Sequence, residues 1–277
     1  MGANPEAPPQ ARDPMLPLLR ANAQAARRWP WVRPCAVVDL APGYISRQQY
    51  DRKGPKRHMF RRILGKTPDY AMDVSLRSIY LGQFKTTYRG VPAWRCPFDY
   101  VVYQMILSEV RPDLIIEIGT NEGGGAYYLA DLLTLTGDGV VHTIDIRNSV
   151  HPEVQKHPRI KFYSSGWDGY DLERETAGFN NILVIDDGSH RYEHVLGALE
   201  KFSPKVAPNS YFIVEDGIIT DLADQGIEDP AKFNGGPLRA IKEFTDANPS
   251  FAIEQRWSNM FGKNSTFNVN GYLKRAR

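Results

Sequence analysis

An α/β fold, with a doubly wound and mostly parallel sheet behind an N-terminal arm or cap, is what three features of this 277-residue sequence predict. Short apolar runs alternate with amphipathic stretches from residue 97 onward, which is the pattern of a parallel sheet covered by helices on both faces. The run Leu114-Ile115-Ile116-Glu117-Ile118 passes directly into Gly119-Thr120-Asn121-Glu122-Gly123-Gly124-Gly125, a buried strand turning sharply into a helix. Two later runs end in paired acids, Asp186-Asp187 and Glu215-Asp216, so charge collects where strands end. In open α/β sheets that rim is where ligands bind.

Residues 1–17 hold five prolines and read as an unpacked tail. Residues 18–28 can be helical, and Trp29-Pro30-Trp31 ends them. From Val37 to Tyr88 the pattern is irregular, with basic pairs at Arg52-Lys53, Lys56-Arg57 and Arg61-Arg62. Residues 1–77 are therefore assigned to a tail and basic arm, and 78–277 to the α/β domain. Pro97 opens a helix whose apolar positions Val101, Val102, Met105 and Ile106 recur at helical spacing until Pro112. After the glycine turn, 126–135 reads as helix, 140–145 as strand, 160–163 as strand and 181–187 as strand. Tyr192, Val195, Leu196, Leu199 and Phe202 form one helical stripe, 211–216 is a fifth strand, Gly235-Gly236-Pro237 opens a further helix, and 267–273 reads as a closing strand.

Hydrophobic residues make up 42% of the chain, enough for a sizeable core. The two cysteines, Cys35 and Cys96, suit neither a disulfide framework nor a zinc site, and a reducing compartment follows. No signal-peptide pattern opens the sequence and no run approaches the ~18 apolar residues of a membrane span, so a cytoplasmic protein with no membrane partner is expected. Charge is uneven: through Lys66 there are 13 Lys and Arg against 4 Asp and Glu, and thereafter 21 against 28. With no nucleic-acid module in the arm, docking onto the acidic part of its own or a neighbouring subunit, or a solvated surface, is expected over nucleic-acid binding, and a homo-oligomer is expected.

The glycine turn differs from the G-x-G-x-x-G and G-x-x-x-x-G-K-[ST] patterns, which disfavours a pyrophosphate ligand. Asp145 closes the next strand 26 residues after Gly119, the separation at which an acid accepts hydrogen bonds from a ribose diol; the competing reading is a loop-capping acid. A nucleoside without a phosphate cradle fits S-adenosylmethionine. The candidate cofactor residues are Glu117, Gly119, Thr120, Gly123, Asp145 and Asp186. Acids crowded at one rim repel and shift one another's pKa, a conflict that a divalent cation such as Mg²⁺ resolves. Strand alternation sends neighbouring side chains to opposite faces, so not all four can meet one ion. His190, three residues after Asp187, is read as a general base beside the metal and His194 as an ordinary helix residue, because Arg191 stands where a zinc H-E-x-x-H motif needs glutamate.

Taken together, Tyr103-Gln104, the run from Pro112 to Thr120 with its triple glycine, Ile144-Asp145-Ile146, Asp186-Asp187-Gly188-Ser189-His190 with His194-Val195, Ile213-Val214-Glu215-Asp216 and Gly271-Tyr272-Leu273-Lys274-Arg275 resemble the cephalosporin hydroxylase-like family. The resemblance spans about residues 78–275. It implies a Rossmann-like class I methyltransferase fold and an S-adenosylmethionine-dependent O-methyltransferase acting on a small-molecule hydroxyl, as in the rhamnosyl and macrolide-sugar methyltransferases. It also implies Mg²⁺ ligation by Asp187, Glu215 and Asp216, cofactor contacts at Gly119, Thr120 and Asp145, and His190 as base. The rival readings are a metal-dependent hydroxylase, for which no two-histidine, one-carboxylate iron triad is evident, and a non-catalytic nucleoside-binding subunit.

Overall fold

The computed structural model describes residues 72–276, and the tail, the 18–28 helix and the paired basic clusters lie outside the described residues. The described residues form one compact unit. Its frame is a seven-stranded sheet of β3 (Leu114–Ile118), β4 (Val140–Ile144), β5 (Ile160–Tyr163), β6 (Ile182–Asp186), β7 (Tyr211–Val214), β8 (Phe251–Ile253) and β9 (Tyr272–Arg275), in the order β5-β4-β3-β6-β7-β9-β8. The first five in that order run parallel, while β9 is antiparallel to both of its neighbours. From β3 the chain winds outward through β4 to β5, then returns to the other side of β3 as β6. That reversal leaves a crevice at the carboxyl end of β3, where the glycine turn lies.

Helices cover both faces. The helices α2 (Pro97–Val110) and α3 (Gly124–Thr136) pack on Ile115, Leu183, Ile185 and Ile213. On the opposite face, α7 (Tyr192–Phe202) and α9 (Gly236–Ala247) pack on Leu114, Ile116, Ile118, Val184 and Val214. Every residue of β3, β6 and β7 is buried, as near-continuous apolar runs demand. Each fully buried Ile or Leu contributes about 1.5–3 kcal/mol, so this doubly covered sheet is a rigid support for its rim.

Three expectations change. Inside the stretch read as irregular lies α1 (Leu76–Gln83), closed by a Ser75–Ser78 capping box, followed by the short hairpin β1 (Thr87–Tyr88) and β2 (Val91–Pro92). The helix packs Leu76, Ile79 and Tyr80 against Ile218, Leu222 and Phe267, a tertiary contact with no local periodicity to announce it. The strand β8 was not expected either. The closing strand starts at Tyr272 instead of 267, because the segment before it folds onto α2: Asp99 Oδ2 accepts from the Phe267 amide at 3.0 Å, and Oδ1 accepts from the Tyr272 hydroxyl at 3.0 Å. Gly271 completes that turn, since a Cβ there would lie 1.9 Å from the Val214 carbonyl oxygen.

Candidate active site

Strand alternation sorts the rim residues before any ligand is considered. In β3, Leu114, Ile116 and Ile118 face α7 and α9, so Glu117 faces α2 and α3 with Ile115. In the same way β6 and β7 direct Asp187 and Glu215 toward the α2 side, while Asp186 belongs to the α7 side. The α2 side receives a residue that the sequence reading passed over. Arg95, in the loop between β2 and α2, lies buried beneath the rim: its Nε and Nη2 donate to Glu215 at 3.1 and 2.6 Å, Nη2 lies 3.4 Å from Asp187 Oδ2, and 3.9 Å separates it from Glu117 Oε1. Tyr103 of α2 donates to Glu215 Oε1 at 2.7 Å and sets its ring 4.7 Å from the guanidinium.

Above this layer lies a second. Among the described residues, Asp187, His190 and Asp216 bring one ligand atom each to within 4.8 Å of one another, a grouping able to hold a metal ion. His190 Nε2 is 3.3 Å from Asp216 Oδ2 and 4.0 Å from Asp187 Oδ1. His190 and Asp216 both have φ of 56°, a left-handed conformation that costs a non-glycine residue about 1–3 kcal/mol and persists only where the surroundings impose it. Burial, with Glu215 adding like charge, pushes the Asp187 carboxyl well above the usual carboxylate range. Asp216 is raised by burial too, with His190 opposing. Acids held in that condition are stabilised by a cation, and carboxylate oxygens suit a divalent one such as Mg²⁺, with the His190 imidazole beside it. The donor set therefore fits the expected metal. The grouping has one histidine among its acids, where an iron triad needs two histidines and one carboxylate. Glu215 lies beside this group, with both its oxygens engaged by Arg95 and Tyr103.

The two layers border one cavity of about 780 Å³ that also takes in the glycine turn, from Gly119 and Thr120 to Asp145 and Ile146. Gly119 has φ +98°, and a Cβ on it would meet the Asp187 carbonyl oxygen at 2.0 Å, so only glycine lets the β3 turn touch the β6 turn. Asp145 Oδ2 accepts from the Thr120 and Asn121 amides and Oδ1 from Arg147, each at 3.0 Å. It is thus a loop-capping acid, with lone pairs left for a ligand. Thr120 shares a 2.7 Å hydroxyl contact with Thr143, which donates to Glu117 at 2.6 Å; burial raises Glu117 to about 7, with Arg95 and Thr143 opposing. Asp186 is likewise raised to about 7 by burial, and its Oδ2 is buried without a partner among the described residues. Gly123 caps α3, where an added Cβ would meet Val154 at 2.8 Å, and Gly124 and Gly125 line the cavity.

Comparison with known proteins decides the family. The family model described as Rhamnosyl O-methyltransferase/CmcI matches residues 81–276. This chain belongs to that family. The rhamnosyl O-methyltransferase of Mycobacterium tuberculosis is 31% identical over 199 residues, covering 69% of this chain and 78% of the relative. That of Mycobacterium leprae is 26% identical over 231 residues, covering 79% and 98%. A solved CmcI structure described with Mg and SAM aligns at TM-score 0.53 with 20% identity, covering 86% of this chain and 90% of the other. That likeness bears on the fold, which is the class I methyltransferase fold expected from the sequence. The enzyme class expected, an S-adenosylmethionine-dependent O-methyltransferase, is that of the family.

Beyond Arg95, the sequence reading also gave no role to Tyr103 or to the aromatic residues of the cavity mouth. Tyr80, Phe84 and Trp94 line it in an edge-to-face ladder, with ring centroids 5.2 and 5.5 Å apart, and the Tyr80 hydroxyl donates to Glu228. His194, read as an ordinary helix residue, lines the cavity 2.6 Å from the Ser189 hydroxyl. The isolated Arg95 within the apolar sequence Val91-Pro92-Ala93-Trp94-Arg95-Cys96 was the one available signal.

Proposed function

We propose that the chain methylates a hydroxyl of a small molecule, a natural product or sugar, using S-adenosylmethionine and Mg²⁺. The observation that carries this reading is the single cavity that joins the glycine turn and Asp145 at one end to Asp187, His190 and Asp216 at the other. At the first end, Glu117, Gly119, Thr120, Asp145 and Asp186 would hold the cofactor, with exposed Ile146 and the nearby Trp167 as apolar cover for its base. At the second, Asp187, Glu215 and Asp216 would hold the cation, and His190 Nε2 would accept the acceptor's hydroxyl proton. Asp216 Oδ2, 3.3 Å away, stabilises the imidazolium that this transfer creates. When bound, the sulfonium supplies the methyl group and the cation supplies a Lewis acid for the acceptor oxygen. What the chain contributes besides binding is orientation, holding oxygen and methyl in line.

The test is methyl transfer from isotope-labelled S-adenosylmethionine to a panel of hydroxylated metabolites, with and without chelator. Labelled product that disappears in chelator and returns with Mg²⁺ is expected, and Asp187→Asn should not be rescued at ordinary Mg²⁺ concentration. Full turnover in chelator overturns the metal role.

A further inference from the structure

We infer that the acceptor alcohol carries a cationic amine, held by Glu228 and the Tyr80, Phe84 and Trp94 rings at the mouth of the cavity. The inference rests on the methyl-transfer reading above and names the substrate class that reading would serve. The end of α1 and the loop before α2 supply the three rings, and Glu228 comes from the segment between Leu222 and α9. The rings meet nearly at right angles, at 89° and 76°, and Phe84 and Trp94 remain 45% and 46% exposed. A corner of that kind offers negative ring faces to a cation, where a stacked column would cover them. Burial, the bond to Glu228 and the charges of Glu228 and Asp216 push the Tyr80 hydroxyl up to about 12. Both acids therefore act on this one ring, and the mouth adjoins the metal group.

Charge decides which occupant fits. Among the described residues, no Lys lines the cavity and its arginines are Arg95, paired with Glu215, and Arg147, beside Asp145 at the cofactor end. A phosphorylated or carboxylated acceptor would find no free basic side chain at the aromatic end. A divalent cation and Arg95 together balance Asp187, Glu215 and Asp216, which leaves the Glu228 charge uncompensated there. Tyr80 donates to Glu228 Oε1, while Oε2 has no donor among the described residues. A wholly neutral acceptor would cover the rings and leave that carboxylate beneath it without a counter-charge, which is costly once water is displaced. An ammonium answers both features at once, because it pairs with Glu228 and lies against ring faces.

The experiment measures binding of choline, and of the neutral alcohol in which carbon replaces its nitrogen, to the full chain with Mg²⁺ and S-adenosylhomocysteine present. Calorimetry or ligand-observed NMR gives both affinities. Choline should bind about tenfold more tightly, since the two probes share size and shape and differ only in charge. Glu228→Gln keeps an acceptor for the Tyr80 hydroxyl and loses the charge, so the preference should fall to about threefold or less. Trp94→Leu should reduce it as well, with melting temperature and S-adenosylhomocysteine affinity little changed in both variants. Equal binding of the two probes by the wild type, or a full preference kept in both variants, overturns the inference. Turnover gives a second reading: in a labelled-methyl panel that pairs each amino alcohol with its N-acetyl derivative, the free amine should have the higher kcat/KM. A preference for the neutral partner overturns the amine site while upholding methyl transfer. No transfer to any acceptor, with the choline preference intact, supports the amine site and counts instead against the function proposed.

Discussion

At the scale of single residues, the site depends on positions where one atom more or less changes the outcome. Gly119→Ala places a methyl group against the Asp187 carbonyl at 2.0 Å and strains a φ of +98°, so the β3 and β6 turns must separate. Cofactor and metal affinity should fall together in that variant, a joint loss that calorimetry with each ligand would reveal. Asp145 has two roles that a single substitution can separate. Asp145→Ala removes three backbone caps as well as the proposed ribose contact, so it should lower stability and weaken S-adenosylmethionine binding by roughly 1–3 kcal/mol. Lost stability with normal cofactor affinity would mean that the acid only caps its loops. His190→Asn should retain cofactor binding while single-turnover methyl transfer falls about 10²–10⁴-fold, the effect of removing a positioned base. A near-normal rate would place the base elsewhere.

At the scale of elements, β4 contains a group whose protonation opposes folding. His142 is buried in that strand, 2.7 Å from the Tyr170 hydroxyl, and burial lowers its pKa from 6.5 to about 4, with Lys161 adding to the shift. The unfolded chain then binds a proton between pH 6.5 and about 4 that the folded chain refuses. Stability contributed by the neutral imidazole is therefore full above pH 6.5 and is lost as pH falls through that window, by roughly 3 kcal/mol at about 1.4 kcal/mol per unit. Asp99 at the start of α2 has the opposite sign: burial raises it to about 7, so its contribution weakens as pH rises from about 4 to 7. The wild-type profile blends the two. Urea unfolding at pH 7 and pH 4.5 should accordingly show a smaller acid loss for His142→Gln than for wild type, and an equal loss would remove His142 from the account.

At the scale of the whole molecule, the described unit contains the cavity, the cofactor end and the metal group, while the basic arm lies outside the described residues. No described helix is long and apolar enough to cross a membrane. The charge contrast between arm and domain still motivates an assembly role: removal of residues 1–71 should change the sedimenting mass or the acceptor KM more than the cofactor affinity. Unchanged mass with unchanged acceptor kinetics would leave the arm without that role.

What the sequence by itself determined was whatever depends on near neighbours in the chain. The apolar runs specify β3 to β7, the glycine turn after Ile118 specifies the crevice, and the placing of acids at strand ends specifies where polar chemistry gathers, since each is written within a few residues. The closing strand slipped by five residues because Asp99, far away in sequence, claims the 266–272 segment. Which acid meets which partner was decided only by tertiary structure. Asp187 and Glu215 point to the same side by strand alternation, and Arg95 arrives from 92 residues before one and 120 before the other to pair with both oxygens of Glu215. No local pattern encodes that choice. It follows from burial, because a guanidinium beneath the sheet rim must be paired, and the nearest carboxylate with both oxygens within its reach is Glu215.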